Sequence, residues 1–77
     1  MKTFCNCLNA LIKEKGVTQR ELHTALGLSK NQIHYWLKGR VEPDLESLAK
    51  IAIYFEVSTD YLLGLVDEFG NPKRPIN

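Results

Sequence analysis

The chain has 77 residues, 44% hydrophobic and 25% charged, proportions ordinary for one small soluble domain built around one core. A formal net charge of +1 excludes an indiscriminately basic chain, and no apolar run approaches the roughly 18 residues of a membrane span. At this length a separate effector-binding or oligomerisation domain is not expected beside that core.

A first helix is expected from about Thr3 to Lys15. Phe4, Leu8, Leu11 and Ile12 recur at helical spacing, while Asn6, Asn9 and Lys13 fall on the wet side. Gly16 ends it, and Lys13 and Lys15 in the last turn complement the helix dipole. The opening MKTFCNC has no apolar region of the kind a secretory signal uses, so the expected location is the cytoplasm. Cys5 and Cys7 would project about 200° apart on this helix, which prevents a disulfide between them. A metal would need further thiol or imidazole ligands, and only His23 and His34 are available, far along the chain. Reduced, structural cysteines with no metal and no cofactor are therefore expected.

The stretch Thr18 to Gly39, TQRELHTALGLSKNQIHYWLKG, reads as two short helices around a glycine turn. Thr18 is suited to cap the first, and Glu21 three residues on completes a capping box. Leu22, Ala25 and Leu26 give that helix one apolar side. Gly27 stands where the chain must turn left-handed, Leu28 is an apolar plug, and Ser29 caps the next helix. Helix, tight glycine turn and helix make the helix-turn-helix pattern. On the second helix Ile33, Trp36 and Leu37 share one side, and Asn31, Tyr35 and Lys38 oppose them, flanked by Lys30 and His34. This outward face carries no carboxylate. Asn can pair bidentately with adenine, Lys can donate to guanine, and Tyr can reach a phosphate or a thymine methyl. A face that is merely solvated would also be polar, but the charge is sorted along the chain. Residues 18–41 carry Arg20, Lys30, Lys38 and Arg40 against Glu21, a balance of +3. Residues 42–70 carry Glu42, Asp44, Glu46, Glu56, Asp60, Asp67 and Glu68 against Lys50, a balance of −6.

Lys38 to Pro43 is a loop by composition, with Gly39 able to take a positive φ. Asp44 is suited to cap a fourth helix with the apolar stripe Leu45, Leu48, Ile51, Ala52 and Phe55, leaving Glu46, Lys50 and Glu56 in water. Val57 packs across the next turn, and Ser58 caps a short fifth helix, Thr59 to Leu63, stopped by Gly64. Tyr61, Leu62 and Leu65 are expected to finish the core, with a dimer interface as the alternative. Residues 1–65 thus form the domain. Residues 66–77, VDEFGNPKRPIN, lack periodicity and read as a tail, in which Phe69 is an isolated aromatic that could anchor to its own domain or to a partner subunit, and Lys73 and Arg74 either add nonspecific attraction to DNA or are simply solvated.

Thr18-Gln19-x-Glu21-Leu22, then Gly27-Leu28-Ser29, Ile33, Trp36, Gly39 and Pro43, resemble the lambda-repressor-like (Xre/Cro) helix-turn-helix family over about Leu8 to Leu63. The resemblance implies an all-α, compact five-helix lambda-repressor-like DNA-binding domain, with the motif at helices 2 and 3 and residues 29–37 in the major groove. Base contacts are then expected from Lys30, Asn31, Tyr35 and His34. In the family the loop after the motif lies along the DNA backbone, which makes Lys38 and Arg40 phosphate contacts, and Gln19 occupies the family's phosphate position. Glu42 and Asp44 depart from relatives that carry a base there. His23 stands where the family has a small residue, so it must lean out or alter the packing of the two helices. The implied protein is a homodimeric regulator of transcription, a repressor, bound to double-stranded DNA. The alternative is an antitoxin-like or other interaction module whose DNA binding depends on a partner protein. An enzyme is not expected, because His23 and His34 sit on different helices and no nucleophile has an evident base.

Overall fold

Five helices account for most of the chain in the computed structural model, which describes residues 2–67 with Asn71 and Pro72. They are α1 (Lys2–Lys15), α2 (Gln19–Leu26), α3 (Lys30–Leu37), α4 (Leu45–Phe55) and α5 (Thr59–Leu62). Each is short, and an isolated helix of 4 to 14 residues is marginal in water, so packing has to hold them. The packing is a ring of neighbours: α3 lies against α1 and α2, α4 against α2 and α5, and α1 against α5. At the centre Leu8, Leu22, Ile33, Ile51 and Leu62, one from each helix, are wholly inaccessible to solvent. Phe4 meets Trp36 edge-on, with ring centroids 6.2 Å apart, and so ties α1 to α3. This is the five-helix, all-α arrangement that the sequence predicts.

The helix starts follow the sequence closely. Thr18 Oγ1 accepts the Glu21 N–H at 3.0 Å, and the Glu21 carboxylate returns to the Thr18 N–H at 3.3 Å. Ser58 Oγ accepts the Tyr61 N–H at 3.0 Å. Asp44 Oδ1 accepts the Ser47 N–H at 2.8 Å. The Ser47 hydroxyl, and then its backbone N–H, hold the Asp44 carboxyl below its ordinary range.

Three apolar residues expected inside are outside. Ala25 is exposed at the edge of α2, beyond the arc that Leu22 and Leu26 bury. Leu45 is 85% exposed, because it lies about 70° round the helix from the centre of the arc that buries Leu48, Ile51, Ala52 and Phe55. Leu65 is exposed because the chain leaves α5 through Gly64, and the Leu65 N–H closes back on Asp60 O at 2.8 Å with its side chain outward. The start of the expected tail is also structured. Val66 bridges Pro72 in antiparallel fashion, and Asp67 Oδ1 accepts the Asn71 N–H at 2.9 Å. Phe69, Lys73 and Arg74 lie outside the described residues. Cys5 and Cys7 are not joined in a disulfide. No described helix is long and apolar enough to cross a membrane.

Candidate nucleic-acid interface

The turn between α2 and α3 sets where the outward face of α3 points. Gly27 takes φ 68°, a region other residues enter at a cost of about 1–2 kcal/mol. Its N–H reaches Thr24 O at 3.3 Å, and the Leu28 N–H reaches His23 O at 3.0 Å, closing α2 in two bonds. Leu28 is half-buried against the core. Ser29 is extended, and its Oγ accepts the Gln32 N–H at 3.1 Å while Gln32 Oε1 accepts the Ser29 N–H at 3.1 Å. This second capping box was not expected, although Ser29 and Gln32 have the required three-residue spacing. It occupies the Oε1 end of the Gln32 side chain.

What remains on that face is Lys30, Asn31, His34 and Tyr35, all exposed. Tyr35 and His34 are in edge contact at 5.6 Å between centroids, which gives the phenol a lateral support. Behind them Ile33 and Trp36 are buried. No carboxylate stands on α3, and the one on α2, Glu21, is engaged with Thr18. The free polar groups on this surface are therefore neutral or cationic.

The expected phosphate contacts fall at the two ends of α3. Lys38 closes the helix, Gly39 follows at φ 72°, and the Arg40 N–H bonds back to Tyr35 O at 3.0 Å, so that both cationic side chains leave the same compact turn and are exposed. At the other end Gln19 is exposed at the first position of α2 and shares a depression of about 250 Å³ with Arg20, His23 and Lys30. The structure thus brings Gln19 beside Lys30 and leaves Lys38 and Arg40 together about one helix length away, roughly 12 Å for eight residues. His23 leans out to form one wall of that depression, and Leu22 and Ile33 beside it are still sealed.

Two features of the site escaped the sequence. Arg20 belongs to the same surface as Gln19, and its position one residue further along the first turn of α2 was the available signal. Less visible is a pin from α1. The Cys5 thiol donates to Leu37 O at 3.1 Å, and Asn9 Nδ2 donates to the same carbonyl at 3.1 Å and to Cys5 O at 2.9 Å. Leu37 O is one of the carbonyls that a helix C-terminus leaves without a partner. Asn9, expected on the wet side, is exposed and still holds the end of α3.

Comparison with known proteins bears on the family and the fold. Residues 8–62 match the helix-turn-helix family. An uncharacterised HTH-type transcriptional regulator, YobD of Bacillus subtilis (strain 168), is 31% identical over 65 residues, covering 84% of this chain and 58% of the relative. The crystal structure of a transcriptional regulator from Listeria innocua superimposes with a TM-score of 0.76 at 34% identity, over 84% of this chain and 61% of that one. The solution structure of the SOS-response transcriptional repressor LexA from Eubacterium rectale gives 0.79 at 28% identity, over 97% and 79%. The chain therefore spans somewhat more than half the length of YobD and of the Listeria protein.

Proposed function

This chain belongs to the helix-turn-helix family of Xre and lambda-repressor type, and from that premise we propose that it binds double-stranded DNA as a homodimer, sets α3 in the major groove and represses transcription. The observation that carries the proposal is the outward face of α3. Its cap takes up Gln32, its core side takes up Ile33 and Trp36, and Lys30, Asn31, His34 and Tyr35 are left exposed with no carboxylate among them. These four take base edges: Asn31 an adenine, Lys30 a guanine, and His34 and Tyr35 the neighbouring positions. Gln19, Lys38 and Arg40 take phosphates at the two ends of the helix and set its register without reading sequence. Residues 1–65 form the DNA-binding domain and residues 66–77 its tail.

One eight-residue helix touches too few base pairs to select a site in a genome. A two-fold pair reads two half-sites about one helical turn apart, roughly 34–36 Å. The Eubacterium rectale relative is named a repressor, which favours repression over activation, and such a regulator works in the cytoplasm, where the DNA is.

Selection of bound duplexes from a random pool at near-physiological salt tests the proposal, and an enriched inverted repeat is expected. On the selected site Asn31→Ala should cost roughly 1–3 kcal/mol and relax the choice at one base pair. If neither affinity nor base preference changes, the orientation given to α3 is wrong.

A further inference from the structure

Helix α4 buries Leu48, Ile51, Ala52 and Phe55 on one face and still leaves two large aliphatic side chains in water. Leu45 is 85% exposed and Ile53 77% exposed. With the exposed Ala49 between them they form one stripe at positions i, i+4 and i+8 along the helix. Isolated apolar residues on a surface need no explanation, but an aligned row of them beside a full core does.

We propose that this stripe is the contact with a second copy of the chain, the two α4 helices lying antiparallel about a two-fold axis at Ala49. The inference rests on the dimer proposed above and supplies its surface. An isologous contact must be complementary to itself. With the axis at Ala49, Leu45 of one copy faces Ile53 of the other at both ends of the contact. The smallest side chain of the row, a methyl group, sits at the centre and lets the helix axes approach to the short end of the usual 8–10 Å range.

The charges select this direction. Glu46 and Lys50 lie on one flank of the stripe, where they pair within the helix at 3.7 Å. A two-fold axis perpendicular to the helices keeps that flank on the same side in both copies. It brings Lys50 of one copy level, within about 3 Å along the axis, with Glu46 of the other. Two cross-pairs then border the apolar row. A parallel arrangement sends the two flanks to opposite sides of the contact, where they cannot meet. DNA is a poor occupant of a row that is apolar and edged by Glu46. The contact is also small: five residues a side against the roughly 20–30 of a stable interface. Association of the free chain is therefore weak, and duplex DNA completes it by holding two copies on adjacent half-sites at high effective concentration.

Sedimentation equilibrium of the free chain, from micromolar to millimolar and without DNA, reads the contact directly. A concentration-dependent dimer is expected. Leu45→Glu and Ile53→Glu should each weaken it at least about tenfold, with circular dichroism showing both variants folded. Glu46→Lys should weaken it too, and Glu46→Lys with Lys50→Glu should restore it. In a Cys5→Ser, Cys7→Ser background, Ala49→Cys should cross-link on oxidation and Asp60→Cys, on α5, should not. A chain that is monomeric at every concentration and gives no Ala49→Cys cross-link overturns the proposal, as does a dimer indifferent to Leu45→Glu. Because none of these measurements uses DNA, a failure to bind any duplex would sink the DNA-binding proposal and leave the interface to be decided separately.

Discussion

Ser29→Ala tests whether α3 is held at its start in the way the structure describes. The substitution removes the acceptor for the Gln32 N–H, a 3.1 Å bond, and keeps the reciprocal 3.1 Å bond from the Ser29 N–H to Gln32 Oε1. Loss of a serine N-cap costs about 0.5–2 kcal/mol, and because both residues are exposed, water can replace part of what is lost. About 1 kcal/mol is expected, which for a domain of this size lowers Tm by about 4–8 °C. Thermal unfolding followed by circular dichroism reads the loss. Hydrogen exchange localises it, since the Gln32 amide should exchange faster while the amides of α4 keep their relative protection. Gln32→Ala should cost less, and the double variant should cost less than the sum, because the two side chains act as one unit. A Ser29→Ala protein that melts within about 1 °C of the parent, or a double variant that is fully additive, would refute the reciprocal cap.

Trp36→Ala removes a side chain that is 3% exposed and stacked edge-on by Phe4, and it should cost about 3–5 kcal/mol in urea unfolding; a variant as stable as the parent would place Trp36 outside the core. Arg40→Ala should weaken binding to all duplexes alike and reduce the slope of log K against log salt by about 0.9 for the one phosphate lost; an altered base preference would contradict its role. Glu56→Gly should stabilise the fold. Glu56 ends α4 at φ 55°, where a side chain costs about 1–2 kcal/mol. Glycine loses about 0.5–1 kcal/mol of that through its looser unfolded state, so a rise in stability of about 0.5–1 kcal/mol is expected and a decrease would count against strain at this position.

Most of the fold was legible because its punctuation is local. Thr18 with Glu21, Ser29, Asp44 and Ser58 each stand one residue before a helix and each accept an N–H three residues on, a relation between near neighbours that spacing alone reveals. The core stripes were legible for the same reason, apart from positions at the edge of an arc. A period of 3.6 identifies a side of the helix but does not say how wide the buried arc is, and Leu45 falls just beyond it. What the sequence hid is contact across the fold. Cys5 and Asn9 meet Leu37 O over separations of 32 and 28 residues, and nothing in the pattern of α1 marks them as partners of α3. The outward face of α3 was readable in composition, and so was the pairing of Glu21 with Thr18 that occupies the carboxylate of α2.

Helix α3 has eight residues and would not persist alone, so its direction has to be imposed on it. Its N-terminus is fixed by Ser29 and Gln32, and its C-terminal carbonyl at Leu37 by Cys5 and Asn9. Gly39 and Arg40 close the last turn, and Ile33 and Trp36 hold its inner side in the core. None of these fixing side chains is a proposed base contact. Lys30, Asn31, His34 and Tyr35 have no side-chain part in the caps, the pin or the core, so each can change with little loss of stability. The groups that hold the helix and the groups that would read DNA are thus separate sets on the same eight residues and their supports. Changes at the four exposed positions should alter which sequence is bound, while changes at Ser29, Asn9 or Trp36 should weaken binding to every sequence by loosening the helix that presents them.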